Sequence, residues 1–480
     1  MIDTKRSFNR GVMAVIGCLI IDISVGEFNL LSFLYPYFAS YFHSFDEDIT
    51  PRSMVMLPCV WLLSQIFSGL FSIKLFNQFG YRVTFACFVV IFFVGQMLSS
   101  YITNFYMFAL IYGIFGGVAQ GGLIILPLYC CWRYFDKKYR SIVSGIILSA
   151  YALAPIGTSI IALNIVNPNN IAPVKNGEFS YFNADVYKNV PSFIRTFGVI
   201  CFVAGSIGIL MIQEPYEMGD GMDDFMMEMS EDNKSHVMRL SHQNSPKVDN
   251  HSNFLKKMET LKIRKGEYEI QPLKLRDIEV FFNDRDFRKM YIIVFVGFLY
   301  PNFMLFNFKQ IGLDRLTKPD QFLNIAGSVA SIFNGGSRLV LGLVFQKHGF
   351  RVAGGIVMFI QITSAFTFLP LSNQNWTFAI SLCYFFICYG AQLGLYPLVM
   401  HSLYKGKGAL AYSLVFSGFT ASCLLVSFLH HSLTKLLGLG NVMVILGIVS
   451  VLPYYYICQI EKRLEVSDAL IMHSVTSNYP

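Results

Sequence analysis

Charge is scarce in this chain: Asp, Glu, Lys and Arg make up only 14% of its 480 residues, whereas a soluble globular chain carries about 25%. With 54% hydrophobic residues and repeated apolar runs of about 18 or more, that shortage points to a polytopic α-helical membrane protein. A glycine-rich phosphate loop, paired Cys/His metal spacing and a nucleophile elbow are all missing. ATP-driven pumping and catalysis therefore find no support, the chain does not read as an enzyme, and no cofactor or metal is called for. The ten cysteines fall almost entirely within apolar runs, with no metal spacing and no extracellular framework, and read as small buried hydrophobes. No small-residue cleavage site follows the first apolar run, which is therefore expected to stay as an anchor. The net charge of +7 is spread between helices and not gathered in one patch, so it speaks for membrane orientation and against nucleic acid.

What is present is a series of twelve expected spans, at 11–43, 53–78, 82–101, 104–131, 141–166, 192–214, 288–311, 321–346, 351–372, 376–402, 409–434 and 440–460. Lys5, Arg6, Arg10, Arg82, Arg133, Lys137, Lys138, Arg140, Lys347, Arg351, Lys405 and Lys407 all fall on one side of such a bundle. The first opposite loop carries Asp46, Glu47 and Asp48. Both termini are thus expected in the cytoplasm, in a plasma or internal membrane. Residues 215–273 are polar without apolar periodicity and read as a flexible linker, ending in an amphipathic stretch through Phe287. The expected organisation is a tail (1–10), a six-helix bundle (11–214), a cytoplasmic linker (215–287), a second six-helix bundle (288–461) and a tail (462–480).

The two halves repeat. Phe33-Leu34-Tyr35-Pro36 returns as Phe298-Leu299-Tyr300-Pro301, and Asn77-Gln78-Phe79-Gly80-Tyr81-Arg82 as Gln346-Lys347-His348-Gly349-Phe350-Arg351. Ala119-Gln120 returns as Ala391-Gln392 and Ser144-Gly145 as Ser417-Gly418, in order and at offsets of 265 to 273 residues. Parallel six-helix repeats about an axis along the membrane normal are the plan of a rocking-bundle transporter.

One charge stands out. Arg338 lies in the apolar run Asn334-Gly335-Gly336-Ser337-Arg338-Leu339-Val340-Leu341-Gly342, about 12 Å from the end of its span at 1.5 Å per residue. Placing it there costs about 2.5–3.5 kcal/mol on insertion scales, and a guanidinium does not shed its proton. It needs an anion, either a substrate carboxylate or a permanent partner on another helix. Asn334 shares its helical face. Asp22 and Glu27, about 140° apart on one helix, are the candidate carboxylates, since burial disfavours their charged form and so couples them to protons. One would pair with Arg338 when the site is empty and take a proton when substrate replaces it; the alternative is a hydrogen-bonding role across helices. Tyr35 and Tyr300, each before a proline, mark expected bends that reach the pathway. Lys309, near one end of its span, reads by default as snorkelling to the surface.

The turn Gly342-x-x-x-Gln346-Lys347-x-Gly349-x-Arg351 resembles the signature of the major facilitator superfamily, and nearly the whole chain outside the linker and tail is similar to that superfamily. Asn334-Gly335-Gly336-Ser337-Arg338 narrows the resemblance to oxalate:formate antiporter-like and monocarboxylate porter-like members, whose eighth-helix arginine binds the substrate carboxylate. The resemblance carries that role to Arg338, a gating role to Asn77, Gly80, Arg82, Gln346, Lys347, Gly349 and Arg351, and a cavity-lining role to Gln120 and Gln392. The first turn departs from the pattern at Ile73 and Asn77. The first-helix lysine of the monocarboxylate members is matched by Phe33, and the oxalate-type lysine of helix eleven is absent. The expectation is an all-α protein with the fold of that superfamily, a monomer in the lipid bilayer. It would move a small organic anion, monocarboxylate-like, by alternating access, with proton symport and anion exchange both open. The competing readings are a carrier of amino acids or other small metabolites, and a non-transporting membrane receptor.

Overall fold

A segment crossing hydrocarbon must satisfy every backbone polar group within itself, and a helix does so. The computed structural model is helical nearly throughout and describes residues 2–132, 134–135, 139–176, 179–213, 275–316, 320–404 and 407–460. The linker read at 215–273, the tail at 462–480, and Arg133, Lys137, Lys138 and Lys405 lie outside the described residues.

The first span is α1 (Ile2–Ser24), a 3-10 turn (Gly26–Leu30) and α2 (Leu31–His43), bent by 44° at the break. Its helix begins within the segment read as a tail. Then follow α3 (Met56–Ser99), α4 (Phe105–Trp132), α5 (Arg140–Val166), a small antiparallel hairpin β1 (Val174–Asn176) and β2 (Phe179–Tyr181), α6 (Ala184–Tyr187) and α7 (Val190–Met211). The second half comprises α8 (Leu275–Asn283), α9 (Arg285–Gly297), α10 (Leu299–Arg315), α11 (Asp320–Leu371), α12 (Asn375–Leu403), α13 (Gly408–Leu437) and α14 (Leu439–Val449), whose span runs on to Ile460. The amphipathic stretch before the second half is helix α8. It turns Phe281 inward, edge-on to Tyr404 at 5.2 Å, and leaves Val280 and Phe282 exposed.

Helices α3 and α11 are each two spans joined at a glycine, Gly80 (φ 74°, ψ 175°) and Gly349 (φ 80°, ψ 178°), which brings the crossings to twelve. That backbone region is essentially closed to a residue with a Cβ, so the repeated turn needs glycine at this position. Asn77, Arg82, Gln346, Lys347 and Arg351 stand exposed around the two turns. We call this the turn end of the bundle and the opposite end the hairpin end.

The first span of each half is broken: after Ser24 in the first, and at Gly297–Phe298, between α9 and α10, in the second. A glutamine on the third span braces each break. Gln96 donates to the Glu27 carboxylate, and Gln361 Nε2 donates to the Gly297 carbonyl at 3.0 Å. The two halves meet along α5 and α11, where Ser149 Oγ donates to the Gly335 carbonyl (2.6 Å) and Ser159 meets Ser328 (2.8 Å).

Candidate functional site

Asn334 and Arg338 lie one turn apart on α11, and two glycines one turn apart on α12 let that helix close onto them. A Cβ at Gly390 would fall 2.1 Å from the Asn334 carbonyl oxygen, and one at Gly394 would fall 2.8 Å from the Arg338 Cα. Small residues of this kind permit near-contact of backbones in membrane bundles. The approach buries Arg338 to 2% exposure at the middle of the protein.

There the guanidinium is held by neutral groups. Nε and Nη2 both donate to Asn334 Oδ1 at 3.2 Å, and Nη1 donates to the Leu148 carbonyl on α5, across the interface between the halves, at 2.8 Å. A guanidinium has five N–H donors, so one remains on each terminal nitrogen. The Tyr151 ring lies 5.7 Å from the charge. Among the described residues no carboxylate comes within ion-pairing distance of Arg338.

Arg338 opens onto a small cavity between the halves. Its walls are largely aromatic: Phe28 and Tyr151 from the first half, and Tyr389, Tyr412 and Phe419 from the second. Gln120 supplies an amide whose orientation is dictated by its neighbours. The Trp61 indole N–H, which can only donate, bonds Gln120 Oε1, and Gln120 Nε2 in turn donates to the Tyr151 hydroxyl. The Tyr151 hydroxyl thus receives one hydrogen bond and keeps its own proton to give. One cation among ring faces, with the Gln65 and Gln120 amides and the Tyr151 hydroxyl in the same lining, suits a small anion.

The residues read from sequence separate here. Arg338 and Gln120 line the cavity, and Asn334 orients Arg338. Asp22 is 1% exposed, its Oδ1 has no hydrogen-bond partner, and it lies within Coulombic but not ion-pairing reach of Arg338. Glu27 does not share a helix with Asp22, because the chain breaks between them. Its carboxylate takes Gln96 and the Tyr112 hydroxyl (2.6 Å), and so serves the first-span break and not Arg338. Gln392 hydrogen-bonds Gln361 (2.6 Å) and Tyr396 inside the second half, and Tyr300 meets Ser364 at 2.9 Å in the same interior, so neither lines the cavity. Tyr35 stacks on Phe306 at 6.2 Å, also outside the lining. Lys309 does not snorkel. It is 1% exposed and paired with Asp320 at 2.7 Å.

Sequence reasoning missed Tyr151, Tyr389 and Tyr412, since aromatic residues make up 16% of the chain and no spacing distinguishes these three. Gln96 and Gln361 lie 265 residues apart, four residues out of the register of the glycine turns just upstream at 269, so the repeat did not single them out.

Comparison with known proteins places this arrangement. The profile of the Major Facilitator Superfamily matches residues 17–427. The chain is 20% identical to apicoplast pyruvate carrier 1 of Toxoplasma gondii over 368 residues, 73% of this chain and 63% of that protein. It is 36% identical to the aspyridones efflux protein apdF of Emericella nidulans over 86 residues, 18% of this chain and 17% of that protein. The chain therefore spans less than two thirds of the length of either relative. In solved structures it resembles the proton:xylose symporter XylE bound to 6-bromo-6-deoxy-D-glucose, with a TM-score of 0.65 at 14% identity over 94% of this chain and 95% of that one. The partially occluded inward-open form of the same transporter from E. coli gives 0.61 at 14% identity over 94% and 97%. Two six-span halves, a glycine turn repeated in each and a cavity between them agree with that match: the chain belongs to the major facilitator superfamily and has its twelve-helix transporter fold.

Proposed function

We propose that this protein carries a small organic anion, monocarboxylate-like, across a membrane by alternating access, with Arg338 as the anion seat. The observation that carries the reading is a guanidinium buried at the interface of the halves, facing a cavity, with no carboxylate paired to it among the described residues. A passenger carboxylate would take the uncommitted Nη hydrogens and the Tyr151 hydroxyl, and would displace the Leu148 carbonyl. A carboxylate offers the guanidinium a full opposite charge and a bidentate fork where the Leu148 carbonyl offers only a dipole, so the exchange favours the anion. The likeness to a pyruvate carrier supports the same class. Asp22, buried and unsatisfied near Arg338, is the proton-sensitive group. When charged it draws the guanidinium, and when neutral it releases it to the substrate. The turn end, ringed by basic residues, faces the cytoplasm.

The test is uptake and counterflow of labelled monocarboxylates by the purified protein in liposomes. Arg338→Gln should reduce transport roughly 30-fold or more, the equivalent of about 2 kcal/mol or more for losing one member of a buried charge pair. Undiminished anion uptake by that variant would remove the proposal.

A further inference from the structure

A second buried charge cluster lies at the hairpin end. Lys309 of α10 and Asp320, the first residue of α11, form an ion pair at 2.7 Å with both residues 1% exposed. Both belong to the second half, yet the first half completes their environment. Lys309 Nζ donates to Asn324 Oδ1 (3.2 Å) and to the Phe33 carbonyl of α2 (2.9 Å). The Tyr37 hydroxyl donates to Asp320 Oδ2, and its ring lies 4.9 Å from Lys309 Nζ. Pro36 lacks the amide hydrogen that would bond the Ser32 carbonyl and loosens the helix at that turn, beside the Phe33 carbonyl that Lys309 takes.

The segment after the hairpin covers this cluster. Phe182 packs on Tyr37 at 4.9 Å between ring centres, and its backbone N–H donates to Ser40 Oγ at 2.8 Å. The Gln321 N–H, next to Asp320, donates to Asn170 Oδ1 on the first-half loop at 3.3 Å. Buried charges need every remaining hydrogen-bonding position filled. Here the first half supplies the Phe33 carbonyl to Lys309 and the Tyr37 hydroxyl to Asp320, and both contacts require the two halves to be shut at this end.

We propose that Lys309, Asp320 and Tyr37 form the latch of the hairpin end, holding that face closed while the cavity is occluded and parting when it opens. The ion pair stays within its own half throughout, and what breaks is the grip of Lys309 on the Phe33 carbonyl and of Tyr37 on Asp320. The separated polar groups are then satisfied by water, which the open face admits. The inference rests on the alternating-access reading, but its test needs no substrate, so a wrong anion assignment would leave it standing.

The chain contains its own reporter. Cys59, near the hairpin-end start of α3, is half-buried and neighbours Cys423 of α13 across the two halves. Labelling of Cys59 by a membrane-impermeant maleimide is measured in sealed vesicles, with Cys59→Ser as background. Tyr37→Phe removes one hydroxyl from the latch. The double variant Lys309→Met/Asp320→Asn removes both charges together and leaves neither unpaired. Each should label Cys59 several-fold faster than the unaltered protein. Labelling at the unaltered rate in both overturns the latch. Should the double variant fail to reach the membrane, Tyr37→Phe decides alone.

Discussion

Arg338 and Lys309 meet the same low dielectric in opposite ways. Lys309 has a permanent carboxylate, and Arg338 has only oxygens that another anion can replace. The contrast predicts different consequences of substitution. Lys309→Ala should destabilise the purified protein by about 3–5 kcal/mol, because Asp320 is left buried and unpaired. Lys309→Met/Asp320→Asn should recover most of that loss in a thermal unfolding assay. Arg338→Lys keeps the charge but loses the planar fork that engages Asn334 and Leu148 together, so it should retain stability and lose most transport. Asp22→Asn is expected to leave counterflow intact and flatten its pH dependence. In the unaltered protein uptake should rise as pH falls, because protonation of Asp22 ends its competition for the guanidinium. A similar pH profile for Asp22→Asn would remove Asp22 from coupling. Single residues were legible in the sequence where their cost is high and their neighbours are local, as with Arg338 and Asn334 one turn apart. For Glu27 the sequence left a pairing with Arg338 and hydrogen bonding across helices both open, and could not choose because the partners, Gln96 and Tyr112, arrive from spans three and four; the pairing of Lys309 with Asp320 was hidden in the same way.

At the scale of elements, the glycine turns were the most readable parts. Gly80 and Gly349 both adopt a conformation that excludes other residues, so their recurrence in the sequence had a backbone cause. Gly80→Ala and Gly349→Ala should each destabilise by about 1–3 kcal/mol, a loss that thermal unfolding in detergent would report. The break in the first span was not readable, since the apolar pattern continues through it and Gly26 alone does not announce it. Gln96 and Gln361, bracing the two breaks, explain why. The bend is held by a distant span, and no local signal specifies it. Gln361→Leu should weaken the second-half break through loss of its bonds to Gly297 and Ser450, lowering thermal stability while leaving the Arg338 cavity walls in place.

For the whole molecule, hydropathy and the internal repeat sufficed for twelve spans in two halves, because the bilayer penalises any other arrangement of such runs. Which faces of the halves meet was beyond the sequence, since that depends on pairs such as Ser149 with Gly335 that no periodicity encodes. One of these meetings has a kinetic consequence. The Leu148 carbonyl gives the unloaded protein an oxygen for Arg338 from the opposite half, so the guanidinium is not left without an acceptor from that half when the cavity is empty. On the proposed function, return without cargo is the expected behaviour. Vesicles filled with buffer alone should therefore accumulate label, where a strict one-for-one exchanger would stand idle.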